Sequence, residues 1–215
     1  MKLNAPLVSD YDLQEERINY LSHGVGAVLA FIAGILLIIK GAYLSTGQWL
    51  GLWAYAISMV LLFSASMLYH MATVADRRYF YKKLDHTAIY YLIAGTYTPF
   101  LSIAIPTQKA QYLLIALWII ALIGTLFKLV FINRFHKISL IAYLVMGWLA
   151  VLVMDDMQAY LSSQALTFLL IGGIAYTVGA LFYALKRVRY THAIWHVFVL
   201  IGAVTHFLAI YLYVI

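Results

Sequence analysis

Apolar residues fill this chain in seven long stretches, separated by short clusters of charged and turn-forming residues, and within a stretch the apolar positions run all the way round. A helix on the surface of a soluble protein would keep a polar face with a period near 3.6, and a barrel strand would alternate at every second position. Neither pattern is present, so each stretch reads as a helix with apolar surroundings on every side. Segments of ~20 such residues cross the ~30 Å hydrocarbon core of a bilayer, where only helices and closed barrels satisfy the backbone. The pattern predicts helices at 21–43, 49–71, 86–106, 110–133, 137–154, 164–186 and 192–215. The expected architecture is therefore an all-α integral membrane protein: a polar leader over 1–20 and a single seven-helix transmembrane domain over 21–215. In the third helix Gly95 and Pro99 should produce a bend that frees a carbonyl.

Composition supports this reading. Of 215 residues, 65% are hydrophobic and 10% charged, too few polar groups to clothe a water-soluble domain of this size. The chain has no cysteine, which excludes disulfides and thiolate metal ligands and leaves histidine, carboxylate, hydroxyl or water for any metal. The net charge of +6 is spread by side rather than gathered into a nucleic-acid patch. Lys2, Arg17, Arg77, Arg78, Lys82, Lys83, Arg134, Lys137, Lys186, Arg187 and Arg189 fall on one side of the expected topology, and Lys40 and Lys109 on the other. The positive-inside rule then puts the N-terminus in the cytoplasm and the C-terminus outside. Lys128, within the fourth segment, is expected to snorkel toward the cytoplasmic face. Nucleic-acid partners are not expected; membrane lipids are.

The candidate chemistry gathers at the cytoplasmic ends of three helices. His192 and His196 are four residues apart, on one face at the start of helix seven. Helix two ends S-A-S-M-L-Y-H, which puts Ser66 and His70 on a shared face, and helix three opens K-L-D-H, which puts Asp85 at the same depth. His70, His192 and His196 form a candidate metal triad: three neutral imidazoles leave the fourth position of a zinc ion open to water or substrate. Asp85 can hold that water and take its proton, or it can simply cap helix three through the amide of Thr87. Ser66 can donate to Asp85, to water or to a developing oxyanion, or it can serve as a small packing residue. Of the other histidines, His206 lies about 15 Å deeper by helical rise and suits a packed role. His86 points about 100° away from Asp85 around the helix and reads as structural. His136 reads as a loop cation, and His23, behind Glu16 and Asn19, reads either as packed or as part of a polar network beside the site.

The ordered set E-E-R-I-N-Y-L-S-H at 15–23, S-M-L-Y-H at 66–70, L-D-H-T-A-I-Y-Y-L-I-A-G-T-Y-T-P-F at 84–100 and H-A-I-W-H-V-F-V-L-I-G-A-V-T-H-F at 192–207 resembles the bacterial haemolysin III branch of the progestin and adipoQ receptor family. The resemblance implies seven helices with a cytoplasmic N-terminus, a location in the bacterial inner membrane, and zinc near the cytoplasmic face. It implies His70, His192 and His196 as zinc ligands, Asp85 as the aspartate that holds water, and Ser66 as the motif serine. Eukaryotic relatives are linked to ceramide hydrolysis, and the bacterial branch is associated with membrane fluidity and lipid homeostasis. The expected function is a zinc-dependent lipid amide or ester hydrolase, or a lipid sensor built on the same site, taking its ligand from the cytoplasmic leaflet. The alternatives are a membrane-state regulator or receptor with a structural zinc, and, with less support, a proton or cation conductor or a cytolytic pore.

Overall fold

The computed structural model describes residues 11–185 and 188–215, and these form seven helical rods. They are α1 (Leu13–Lys40), α2 (Thr46–Met71), α3 (Ala75–Pro99), α4 (Gln108–Phe131), α5 (His136–Tyr160), α6 (Ser163–Ala184) and α7 (Thr191–Tyr213). The connections are short, so consecutive rods run antiparallel. Lys2, Lys186, Arg187 and the first ten residues of the expected leader lie outside the described residues.

Six rods, all but α3, are long and apolar enough to cross a membrane. The first half of α3 carries too much charge to qualify, yet the helix is as long as its neighbours and packs against both α2 and α4. The outward faces are apolar: Phe31, Ile115, Leu122, Leu126 and Val130 are all more than half exposed. A continuous apolar surface of this kind is what lipid, not water, covers. Inside, α1, α2 and α3 approach closely through small residues. A Cβ at Gly34 would meet that of Ala56, and one at Gly95 would press on the backbone at Tyr55, so both positions set the spacing of the helices.

α1, α3 and α5 each extend past the hydropathy reading at one end by six residues or more, and charge is the common reason. α1 begins at Leu13, not 21, and α3 at Ala75, not 86. Hydropathy discards charged turns, but Glu, Arg and Lys are good helix formers, and here Glu15, Glu16 and Arg78 are buried. Asp12 caps α1 by accepting hydrogen bonds from the amides of Gln14 (3.0 Å) and Glu15 (2.9 Å), and Glu15 and Glu16 in the first turn complement the helix dipole. α5 runs on to Tyr160, beyond the expected 154, because Asp155 and Asp156 open another helical stretch instead of a loop. It is broken by a 3-10 segment, Trp148–Val153, where the Tyr97 hydroxyl of α3 donates to the Gly147 carbonyl (2.6 Å) and accepts from the Ala150 amide (2.8 Å). α3 passes through Pro99 into a π-helical turn, Phe100–Ala104; proline has no N–H for the Gly95 carbonyl, so the predicted irregularity falls there. Lys128 does not snorkel: it is 1% exposed, enclosed by protein.

The start of α1 also closes over the start of α7. The Arg189 guanidinium donates to Asp12 (2.5 Å), and the Tyr190 hydroxyl donates to the Gln14 side chain (3.2 Å). Tyr190 itself takes a left-handed conformation, φ 63°, to turn the chain into α7. The Glu15 amide, and then the Arg189 guanidinium, hold the Asp12 carboxyl below its usual pKa. A carboxylate favoured by folding contributes stability above its unfolded pKa and loses it as the pH falls through the folded value. Asp12→Ala is expected to lower the melting temperature at neutral pH, with the difference from wild type shrinking below about pH 4. An equal difference at acid and neutral pH would exclude the carboxylate as the stabilising group.

Candidate metal centre

His70 is in the last turn of α2, and His192 and His196 are in the first two turns of α7. The four-residue spacing stacks the two α7 rings on one face, and the antiparallel packing brings His70 against them. The three Nε2 atoms converge: His192 lies 3.2 Å from His70 and 3.1 Å from His196. One ligand atom from each fits within a 4.8 Å span, with His70 and His196 buried and His192 half-buried. Ligand nitrogens about 2.05 Å from a tetrahedral zinc sit about 3.3 Å apart, close to the spacings here.

The surroundings determine which nitrogens face the centre. His70 Nδ1 lies 2.6 Å from the Glu16 carboxylate, so its proton is donated there. His196 Nδ1 lies 3.2 Å from the Asn19 carbonyl and 3.3 Å from the Ser22 hydroxyl. In neutral rings this leaves the Nε2 atoms of His70 and His196 as bare lone pairs aimed at His192, an arrangement a cation stabilises. Arg78 holds Glu16 from behind at 2.5 Å and also donates to the Tyr69 carbonyl at the end of α2. His23 stacks on His196 with ring centroids 3.6 Å apart, and Tyr11 stacks on His192 at 4.7 Å. The Asn19 amide and both His23 ring nitrogens are buried with no hydrogen-bonding partner among the described residues, polar atoms that a hydrated ion would meet. The residues present therefore fit a divalent metal, and His70, His192 and His196 could hold one.

Asp85 and Ser66 line the same cavity as His192 and His196. Asp85 is ten residues into α3, which excludes the capping role, and its carboxylate faces the Ser66 side chain across the α2–α3 contact. It also lies 3.6 Å from His86 Nδ1, which faces the Lys82 carbonyl at 2.9 Å. The cavity, about 370 Å3, runs from Tyr11 and His192 down to Trp148, Tyr176 and His206. His206 faces the Leu169 carbonyl through Nε2 at 3.1 Å, so it is both packed and part of the deep wall. His136 is not a plain loop cation: it opens α5 and lines the cavity.

The family described as haemolysin-III related matches residues 11–207, the whole span from the ring over His192 to the residue after His206. The chain belongs to the haemolysin III family. It is 39% identical over 204 residues to the hemolysin-3 homolog of Bacillus subtilis (strain 168), covering 94% of this chain and 96% of that protein. It is also 39% identical over 204 residues to hemolysin-3 of Bacillus cereus, covering 94% and 93%. A weaker similarity, 27% over 207 residues, covers 93% of this chain and 84% of the human monocyte to macrophage differentiation factor. This haemolysin III protein is accordingly a multi-pass membrane protein with an adiponectin-receptor-like relationship.

Sequence reasoning reached the triad but missed what supports it. The sequence places Glu16 in the polar leader, beside His23 in a candidate polar network, and Arg78 as a topology marker, with no link from either to His70, yet both are buried and brace it. A signal was available: Glu16, Asn19 and His23 fall at i, i+3 and i+7, one helical face that continues through Gly26 and Ala30. Tyr11 had no such signal, because its stacking depends on where α7 starts. In this haemolysin III protein Glu16→Gln is expected to keep the fold and weaken divalent-metal binding by about tenfold, measured by chelator competition, since partners that orient ligand histidines contribute on the order of 10–100-fold. Unchanged affinity in that variant would remove Glu16 from the site.

Proposed function

We propose that this protein spans the cytoplasmic membrane seven times with its N-terminus inside, and that it hydrolyses an amide or ester bond of a lipid drawn from the cytoplasmic leaflet, using zinc held by His70, His192 and His196. The observation that carries this reading is the convergence of three Nε2 atoms beside a long cavity that Asp85 and Ser66 also line. Seven crossings are supported by the length of α3 and by its packing between α2 and α4, with Arg78 buried. The orientation is supported by Arg17, Arg77, Arg78, Lys82, Lys83, Arg134, Lys137 and Arg189 at the triad's end, against Lys40 and Lys109 at the other. Zinc is favoured by the donor set, three imidazoles without thiolate, which suits a tetrahedral ion with one open position.

The ion, when bound, supplies Lewis-acid polarisation of a carbonyl and makes water more acidic. The rest falls to the chain. Glu16 and the Asn19 carbonyl fix the His70 and His196 rings by taking their Nδ1 protons. The apolar cavity takes the acyl chain and excludes bulk water, which strengthens electrostatic interactions within it. Asp85 accepts a proton from the attacking water as its oxygen bonds to the carbonyl carbon, then returns it to the leaving nitrogen or oxygen as the amide or ester bond breaks. Ser66 donates to Asp85 and keeps it aimed. Water and lipid are consumed, and a carboxylic acid and an amine or alcohol are formed.

A second reading is favoured by one feature: the triad joins α2 to α7, and α1 braces both, so the metal could serve only to clamp the bundle of a membrane-state regulator. Metal analysis with a lipid turnover assay separates the two. His196→Ala is expected to lose both zinc and turnover. Asp85→Asn is expected to keep stoichiometric zinc and to lose on the order of a hundredfold in turnover, the size of a general-base contribution. Full turnover by zinc-loaded Asp85→Asn, or none by the wild type on any lipid amide or ester, would leave only the clamp.

A further inference from the structure

The deep end of the cavity is lined by Trp148 of α5, Tyr176 and Thr177 of α6, and His206 of α7. Trp148 and Thr177 are satisfied inside the protein: the indole donates to the Thr177 hydroxyl at 3.0 Å, and that hydroxyl donates to the Gly173 carbonyl at 2.7 Å. Tyr176 and His206 differ. The Tyr176 hydroxyl and His206 Nδ1 are buried with no hydrogen-bond partner among the described residues. A carbonyl only accepts, so the His206 proton sits on Nε2, 3.1 Å from the Leu169 carbonyl, and in a neutral ring Nδ1 is a bare acceptor. The two rings meet obliquely, centroids 5.5 Å apart. Each fits where the opposite helix has a glycine: a Cβ at Gly172 would strike the His206 ring, and one at Gly202 the Tyr176 ring. Across the bundle on α2, Tyr55 is fully buried, its hydroxyl also lacks a partner among the described residues, and it lies within electrostatic reach of Tyr176. Unpaired buried polar groups are costly and native structures keep few, so three of them together mark a place where a partner is met.

We propose that Tyr176 and His206 form a hydroxyl subsite, which takes a hydroxyl carried far along the chain of an amphiphile whose head lies at the triad. The proposal rests on the cavity holding a lipid, as in the reading above, but on neither zinc nor hydrolysis. A hydroxyl satisfies both partners at once: its proton goes to His206 Nδ1, and its oxygen accepts from the Tyr176 hydroxyl. A ketone or ester carbonyl has no proton for the imidazole. A carboxylate has none either, and it brings an ionised group to a depth where charge is expensive. His206 lies ten residues beyond His196 on α7, about 15 Å by helical rise, roughly the reach of an extended twelve-carbon chain. The ligand class is therefore a lipid hydroxylated at that distance along its chain, not beside its head.

The test uses the full chain in an uncharged detergent, as purified and after a zinc chelator, with dodecanoate, ω-hydroxydodecanoate and dodecanoate hydroxylated at mid-chain as probes. On a plain apolar wall the terminal hydroxyl would weaken binding, because it loses water and gains no partner. Here ω-hydroxydodecanoate is expected to bind about tenfold more tightly than dodecanoate, the effect of two neutral hydrogen bonds, and more tightly than the mid-chain isomer. Tyr176→Phe is expected to cut that preference about fivefold, one such bond, and to leave dodecanoate affinity unchanged. Should Tyr176→Phe fold poorly, His206→Phe on the neighbouring helix is expected to reduce the same preference. ω-Hydroxydodecanoate that binds no more tightly than dodecanoate would overturn the subsite and leave the lipid reading standing, the unpaired groups then being met by water alone. A preference that persists in both variants, or that the chelator abolishes, would place the hydroxyl elsewhere and overturn the subsite too. Failure of all three probes to bind would overturn the lipid reading and the subsite with it. A preference that survives chelation and depends on Tyr176 supports the subsite even if no lipid is ever turned over.

Discussion

Inside a bundle surrounded by lipid, a polar side chain persists only where another polar group meets it, and this protein gathers its buried charged and imidazole groups, Glu15, Glu16, His23, His70, Arg78, His86, Lys128 and His196, toward one end. Once Glu16 and the Asn19 carbonyl have taken the Nδ1 protons of His70 and His196, those rings present bare nitrogens to one point, and His192 brings a third imidazole to it. Lone pairs 3.1–3.2 Å apart repel one another unless a proton or a cation lies between them. The packing of α1 against α2 and α7, the anchoring of Arg78 on the end of α2, and the turn of Asp12 toward Arg189 all place groups around that point.

The other half of the molecule does the opposite. α5 packs sparsely against α3 and α6, is interrupted at Trp148–Val153, and is fastened at the break by the Tyr97 hydroxyl. Sparse burial lowers the free energy of local opening in this wall. A densely bonded polar end thus stands beside a sparsely packed apolar wall. Lys82, Asn133 and His136 line the cavity where those two regions meet.

Much of this was legible in the residues themselves. Six of the seven rods follow from apolar length, because the bilayer sets one thickness for every crossing and backbone hydrogen bonding favours helix in such segments. The pair His192 and His196 follows from helical period alone, and His70 joins it because alternating helices return polar ends to the same side. Charged helical turns were not legible by hydropathy: the starts of α1 and α3 were placed late, and Asp85 was set at a helix end when it lies ten residues into one. A charged residue buried in a protein interior and one in water contribute the same letter to a sequence.

The chain by itself determined that this is a helical membrane protein with most of its histidines and basic residues collected at one end, because bilayer thickness and helical period act on local stretches. Only the tertiary structure decided that Glu16 and Arg78 brace His70, that His23 and Tyr11 stack on the other two rings, that Lys128 is enclosed, and that one cavity joins Asp85 to His206. Those contacts join residues up to 181 positions apart, and they depend on how each helix is rotated about its own axis. Rotation is set by packing between helices, for which a single helix's sequence carries no term.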